Sequence, residues 1–241
     1  MTDEQAGWDP ALSARLDAVS TAALSTALRK RGYSDAVVQG VHPLVPGIRL
    51  AGRARTLRLV PYRKDLFAER GGGYNPQKRL YDALGPGDVL VVGARGITAT
   101  GTLGDVLALR AQVRGAAGVV TDGAVRDSAA LAAIGLPVFV AGRNPVVIGQ
   151  RHVPWETDVV IECGGAAVVP GDVLVGDDDG VLVIPAALVD EVLGDAEQQE
   201  REDAWVAARV AEGHPVDGLF PMDATWRARY EADASAQEGT A

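Results

Sequence analysis

A mixed α/β fold follows from three features of the 241-residue sequence. Between residues 85 and 141, short apolar runs alternate with helix-length stretches, the pattern of helices layered on a sheet. Residues 159–184 then change to short strands separated by turns: VVIEC, AAVV, DVLVG and GVLVIP. A long helical stretch rich in acidic residues follows over 186–212.

The elements are expected in this order. Residues 20–31, STAALSTALRKR, carry a hydroxyl cap, a basic last turn and Gly32 as a stop, which predicts a helix. Residues 41–52 are rich in Pro and Gly and read as a loop. Polar and apolar residues alternate over 53–60, RARTLRLV, which predicts a half-buried strand. Residues 62–79, with Gly71, Gly72 and Gly73 in their middle, read as an irregular insertion. A turn at Pro86, Gly87 and Asp88 leads into a buried strand over 89–92. A helix over 105–114, a strand over 118–121, a helix over 127–134 and a strand over 137–141 follow. The Asp179-Gly180 pair signals a hairpin turn. The sequence shows no internal repeat and no linker, so one domain spanning 1–241 is expected. Its C-terminal helical arm covers about 186–232, and a disordered tail covers 233–241.

Composition narrows the functional classes. The formal net charge is −9, against the basic footprint of a general nucleic-acid binder. The longest apolar runs fall far short of the ~20 residues that span a bilayer. The acidic N-terminus lacks the apolar core of a secretory signal. Cys163 is the only cysteine, which excludes an internal disulfide and a thiolate zinc cluster. A small buried apolar role suits it, and a reduced, cytoplasmic setting is expected.

The chemistry concentrates in residues 104–127, GDVLALRAQVRGAAGVVTDGAVRD. Asp105 opens a helix behind Gly101 and Gly104, and the amides of Gly104, Asp105, Val106 and Leu107 form a cradle for a carboxylate or phosphate. Twenty residues separate Asp105 from Arg126, which is followed directly by Asp127. Arg grips a carboxylate through two parallel hydrogen bonds, and Asp binds a hard cation through oxygen. Each also has a simpler reading: Asp105 complements the helix dipole, and Asp127 caps the next helix.

With these residues the chain resembles the RraA-like proteins, a family that includes class II 4-hydroxy-4-methyl-2-oxoglutarate aldolases. The resemblance rests on Asp105, Arg126 and Asp127 at that spacing. It extends to RGAAGVVTDGAVRDSAAL, CGGAAVVPGDVLVGDDDGVLVIP and KRGYSDAVVQGVHPL, and so covers about residues 20–221. It implies a layered α/β/β swivelling-type domain that assembles as a homotrimer or a homohexamer. It also implies that Gly104, Asp105, Val106 and Leu107 hold the carboxylate of a small 2-keto acid and nearby water. Arg126 contacts the keto acid and stabilises its enolate, and Asp127 ligates Mg²⁺ or Mn²⁺. A further acidic ligand comes from the C-terminal helix of a neighbouring subunit, with Glu200 the candidate by register and Glu202 next.

The implied activity is a divalent-metal-dependent lyase. It cleaves a 4-hydroxy-2-keto acid to release pyruvate, or decarboxylates oxaloacetate, through a pyruvate enolate. The alternative is a non-catalytic regulator that binds an RNA-degrading endonuclease, as some members of the family do. No nucleic-acid or membrane partner is expected. A lysine Schiff base is disfavoured, because Lys30 stands at a helix end and Lys64 and Lys78 stand in polar, irregular sequence. Zinc is disfavoured by the scatter of His42, His152 and His214; His152 is read in a loop near Pro154 and Trp155, within an insertion-like segment over 143–157, and packing or the surface is favoured for it over the pocket. Neither the 71–73 glycines nor Asp177, Asp178 and Asp179 complete a nucleotide or calcium motif.

Overall fold

The computed structural model describes residues 8–238. Helix α1 (Pro10–Asp17) and helix α2 (Thr21–Lys30) come first. Ser20 Oγ accepts from the Ala23 amide at 3.1 Å to cap α2, and Gly32, with φ of 86°, turns the chain away at its end. Strands β1 (Val37–Val38), β2 (His42–Pro43) and β3 (Leu50–Pro61) follow, then helices α3 (Lys64–Arg70) and α4 (Pro76–Ala83). Next come β4 (Asp88–Gly93), α5 (Asp105–Val113), β5 (Gly118–Val125), α6 (Ser128–Ile134) and β6 (Val138–Arg143). The chain then runs through β7 (His152–Thr157), β8 (Ile161–Cys163), β9 (Ala166–Val168), β10 (Val173–Asp177) and β11 (Gly180–Ile184). It finishes with helices α7 (Val189–Ala211) and α8 (Ala224–Glu238).

One nine-stranded mixed sheet has the order β1-β11-β10-β3-β4-β5-β6-β2, with β7 added against the outer end of β3. Strands β3 to β6 are parallel and consecutive, joined by helical crossovers. Every residue of β4 and of β5 is buried, as expected of parallel strands covered on both faces. The pleat of β3 defines the layers. Ala51, Leu57 and Leu59 face the helices, and Leu50 and Ala54 face the two-stranded β8–β9 sheet. Helices α4, α5 and α6 cover the parallel strands through Leu80, Tyr81, Ala108, Ala111 and Leu131. Helices α1, α2 and α7 cover β10 and β11 through Leu16, Leu24, Leu28, Val192 and Leu193. The α/β/β layering expected of the chain is the architecture observed.

Three expectations are corrected. Residues 62–79 are not an irregular insertion but largely helix, in α3 and α4. Asn75 Oδ1 accepts from the Lys78 amide to cap α4, and Pro76 opens its first turn. Residues 152–157, read as loop, form β7. Pro154 sits in this edge strand where a bulge between Arg58 and Leu59 shifts the register. The tail expected from Asp233 is helical as far as Glu238. Asp233 Oδ2 accepts from Trp205 Nε1 at 3.0 Å and pairs with Arg209, while Trp226 and Tyr230 pack edge-on to Trp205. These ties fasten α8 to α7; residues 239–241 lie outside the described residues. The hairpin turn holds, with Asp178 and Asp179 between Asp177 and its partner Gly180.

Candidate functional site

Ligand sites in open α/β sheets gather at the carboxyl ends of the parallel strands, and the predicted residues lie there. Beyond β4 the chain crosses toward β5 and then runs beside its last residues. Gly101 forms a parallel bridge with Ala124, the Thr102 amide donates to Ala124 O at 2.7 Å, and the Arg126 amide donates to Leu103 O at 3.0 Å. This pairing delivers Gly104 and Asp105 beside Arg126 and Asp127. The approach requires glycine. A Cβ on Gly101 would stand 2.9 Å from the Arg126 nitrogen, and one on Gly104 would stand 2.5 Å from Asp127 Oδ2.

Asp127 occupies the position before α6, yet its side chain makes no capping bond. Its backbone is left-handed, with φ of 55° and ψ of 37°, and its Oδ2 accepts from Arg126 Nε at 3.1 Å. The capping reading therefore does not account for it. A strained non-glycine residue whose carboxylate is turned toward an arginine is the kind of feature that clusters at working sites. Asp105 does fit its simpler reading in part: its Oδ1 accepts from the Val106 amide at 2.8 Å in the first turn of α5. The first-turn amides stand outside the helical ladder, so with the Val106 amide taken by Asp105, those of Gly104, Asp105 and Leu107 are the donors left at the helix start.

Arg126 spends Nε on Asp127, and its terminal nitrogens carry no hydrogen bond among the described residues. Asp105 and Asp127 supply oxygen donors, the chemistry that suits Mg²⁺ or Mn²⁺, which take one or two protein carboxylates and keep water or substrate oxygens elsewhere. No cluster of three or more His, Cys, Asp or Glu exists among the described residues, so a cation here would draw its other ligands from outside this chain.

Glu200 lies elsewhere. On α7 its Oε1 accepts from the Ser20 amide at 2.9 Å and from Ser20 Oγ at 2.5 Å, clasping α7 to the start of α2. Glu202 pairs with Arg227 at 2.7 Å. Neither approaches Asp127 within its own chain. The three lysines are exposed, so none has the desolvated amine of a Schiff base. Cys163 is buried, and burial pushes its thiol pKa up, in keeping with an inert packing role.

Two residues near the end of β4 were not legible in the sequence, and a third, His152, is buried, in line with its packing reading. Asp122 is buried on β5, four residues before Arg126, and its carboxylate accepts from the Ala94 and Gly96 amides at 2.6 and 2.7 Å. Arg95, between those amides, is left-handed with φ of 60°. His152 is fully buried with Nδ1 3.4 Å from Arg95 Nη2. Burial first, then the Arg95 charge, lower its pKa to about 4, partly opposed by a hydrogen bond at the Ile97 backbone. The one available signal was Asp122 itself, a charge inside the apolar run VVTDGAV.

A family profile described as RraA-like (Aldolase/RraA) matches residues 21–183. The chain belongs to the RraA-like family. A relative from Halalkalibacterium halodurans, named "Putative 4-hydroxy-4-methyl-2-oxoglutarate aldolase", is 34% identical over 163 residues, covering 68% of this chain and 72% of its own. Among solved structures, Streptomyces coelicolor RraAS2, described as an unusual member of the RNase ES inhibitor RraA family, is 33% identical. It aligns with a TM-score of 0.76 over 83% of this chain and 96% of its own. An uncharacterized protein from Pseudomonas syringae pv. tomato, 24% identical, shares the fold with a TM-score of 0.80 over 92% of this chain and 99% of its own. The profile spans every strand from β1 to β10 and includes Gly104, Asp105, Arg126 and Asp127, while Glu200 lies beyond it.

Proposed function

We propose that this RraA-like chain is a divalent-metal-dependent lyase. It cleaves a 4-hydroxy-2-keto acid to release pyruvate, decarboxylates oxaloacetate, or does both. The observation that carries the reading is the convergence of Asp105, Arg126 and the left-handed Asp127 across Gly104. Family membership and the 34% identical aldolase-named relative support it.

In the retro-aldol reaction the bond between C3 and C4 breaks. Its electron pair moves toward the keto carbonyl, and the C4 hydroxyl gives up a proton. Arg126 holds the substrate carboxylate and stabilises the developing enolate, with the first-turn amides of α5 as further donors. Asp105 orients the water that accepts the C4 hydroxyl proton, and a proton returned from that water to C3 of the enolate completes pyruvate. Asp127, together with Glu200 from a neighbouring copy through its free Oε2, would hold Mg²⁺ or Mn²⁺. When bound, the ion would supply Lewis acidity to the developing enolate. Oxaloacetate decarboxylation passes through the same enolate, so one site serves both reactions. Assembly as a homotrimer or hexamer brings the neighbour's helix into place.

The test is purified protein with Mg²⁺ or Mn²⁺ and either 4-hydroxy-4-methyl-2-oxoglutarate or oxaloacetate, with pyruvate detected by a coupled assay. Metal-dependent pyruvate release is expected, and Asp127→Ala is expected to abolish it together with the metal dependence. No pyruvate from either substrate, or an unaffected Asp127→Ala, would sink the reading. The 33% identity to RraAS2 supports a second one, regulation of an RNA-degrading endonuclease by binding. Stoichiometric capture of such a nuclease by a protein that releases no pyruvate would reverse the ranking.

A further inference from the structure

Gln77 is a polar residue on the buried face of α4. It lies in the first turn, after the Asn75 cap and Pro76, and shares its face with the buried Leu80 and Tyr81 at i+3 and i+4. A buried amide needs a partner, and Gln77 finds one outside its own helix. Its Nε2 donates to Thr102 O at 2.7 Å, with 3% of the residue exposed.

Thr102 stands three residues before Asp105 and is held by two elements. Its amide and its Oγ1 both donate to Ala124 O on β5, at 2.7 and 3.1 Å, and its carbonyl takes the bond from α4. A second tie joins the two helices farther along. Asp82 on α4 accepts from Arg110 Nε in the last turn of α5 at 2.6 Å. That ion pair is half-exposed, where such pairs contribute little, whereas Thr102 and Gln77 are both buried. Without the Gln77 donor a buried carbonyl loses its partner, and the segment that leads into Asp105 is held from β5 alone.

We propose that Gln77 is a positioning residue for Asp105, and that it favours cleavage of a 4-hydroxy-2-keto acid over decarboxylation of oxaloacetate. The inference rests on the lyase reading, in which Asp105 orients the water that takes the C4 hydroxyl proton. In the retro-aldol step the C4 oxygen must lose that proton as the C3–C4 bond breaks and the new carbonyl forms. Oxaloacetate carries an ionised carboxylate at C4. Its C3–C4 bond breaks to release CO₂ and leaves the electron pair on the enolate, which takes a proton from solvent. The placement of Asp105 therefore governs bond cleavage in the first reaction and not in the second, while Arg126 serves both.

Steady-state kinetics with Mg²⁺ test this, with 4-hydroxy-4-methyl-2-oxoglutarate and oxaloacetate as substrates of the wild type, Gln77→Met and Gln77→Asn. Methionine keeps the length and loses the donor; asparagine keeps the donor but falls short of Thr102 O, and it decides the matter if the methionine variant does not fold. Each variant is expected to lower kcat for the hydroxy acid about tenfold or more, with its KM and the kcat for oxaloacetate kept within about twofold. Amide hydrogen exchange over 101–105 is expected to quicken in both. An equal loss on both substrates, no loss on either, or unchanged exchange overturns the positioning role, while pyruvate release by the wild type keeps the lyase reading. Where only the hydroxy acid turns over, an unchanged kcat or a matching rise in KM overturns it. A wild type that releases pyruvate from oxaloacetate alone also overturns it, and one that releases none from either substrate removes both readings.

Discussion

Gly104 has no side chain, and the site depends on that. An added methyl would stand 2.5 Å from Asp127 Oδ2 and 3.1 Å from Arg126 Cγ, so the pair would have to move away from Asp105. Displacements near 1 Å at a reacting centre cost about 100-fold in rate. Gly104→Ala is therefore expected to lower kcat/KM for pyruvate release about 100-fold. Its circular dichroism and Tm should stay near those of the wild type, because the residue is only half-buried and its backbone is extended. Wild-type kinetics in this variant would refute the close packing of the pair over the helix start. This part of the site was legible in the sequence, since an Asp at a helix start and an Arg-Asp pair after the next strand share one end of a crossover. Arg95 was not. Its conformation is fixed by Asp122 from a neighbouring strand, a contact that no local pattern encodes.

The loop over 94–104 is held from two strands, β5 through Asp122 and β7 through His152. The second hold depends on a neutral ring. The His152 pKa is lowered to about 4 by burial and by Arg95, against about 6.5 in an unfolded chain. The unfolded state thus binds more protons between those values, and the stability that His152 contributes is complete above about pH 6.5 and lost as pH falls toward 4. The loss is on the order of 3 kcal/mol. Urea unfolding of the wild type should show this fall between pH 6.5 and 4, and His152→Gln, neutral throughout, should show a correspondingly shallower one. Equal slopes would mean that the ring is solvated. Strand β7 escaped the sequence because Pro154 and His152 break its alternation, and it pairs only with the outer end of β3. Helices α3 and α4 escaped for another reason: each is two turns long, with the glycine run between them. The parallel strands were legible because burial on both faces leaves unbroken apolar runs.

On the scale of the molecule, the helix that carries Asp105 leaves an apolar face exposed. Ala108 and Ala111 pack inward, while Val106, Leu109 and Val113 turn outward with 74, 50 and 69% of their surface exposed. Positions at i, i+3 and i+7 share one helical face, so α5 presents an apolar stripe that begins one residue after Asp105. Exposed valine and leucine each gain about 1.5–3 kcal/mol when fully buried, which favours covering this stripe with protein. A neighbouring copy seated there would also exclude water beside Asp105 and bring further acidic side chains near Asp127. Leu109→Lys places a charge in the centre of the stripe without touching the inward face. Light scattering after size exclusion is expected to show a trimer or larger assembly for the wild type and smaller species for the variant, with pyruvate release lost in parallel. A wild-type monomer with full activity would show instead that one chain completes the site. An assembled Leu109→Lys protein would show that the contact between copies lies on another face.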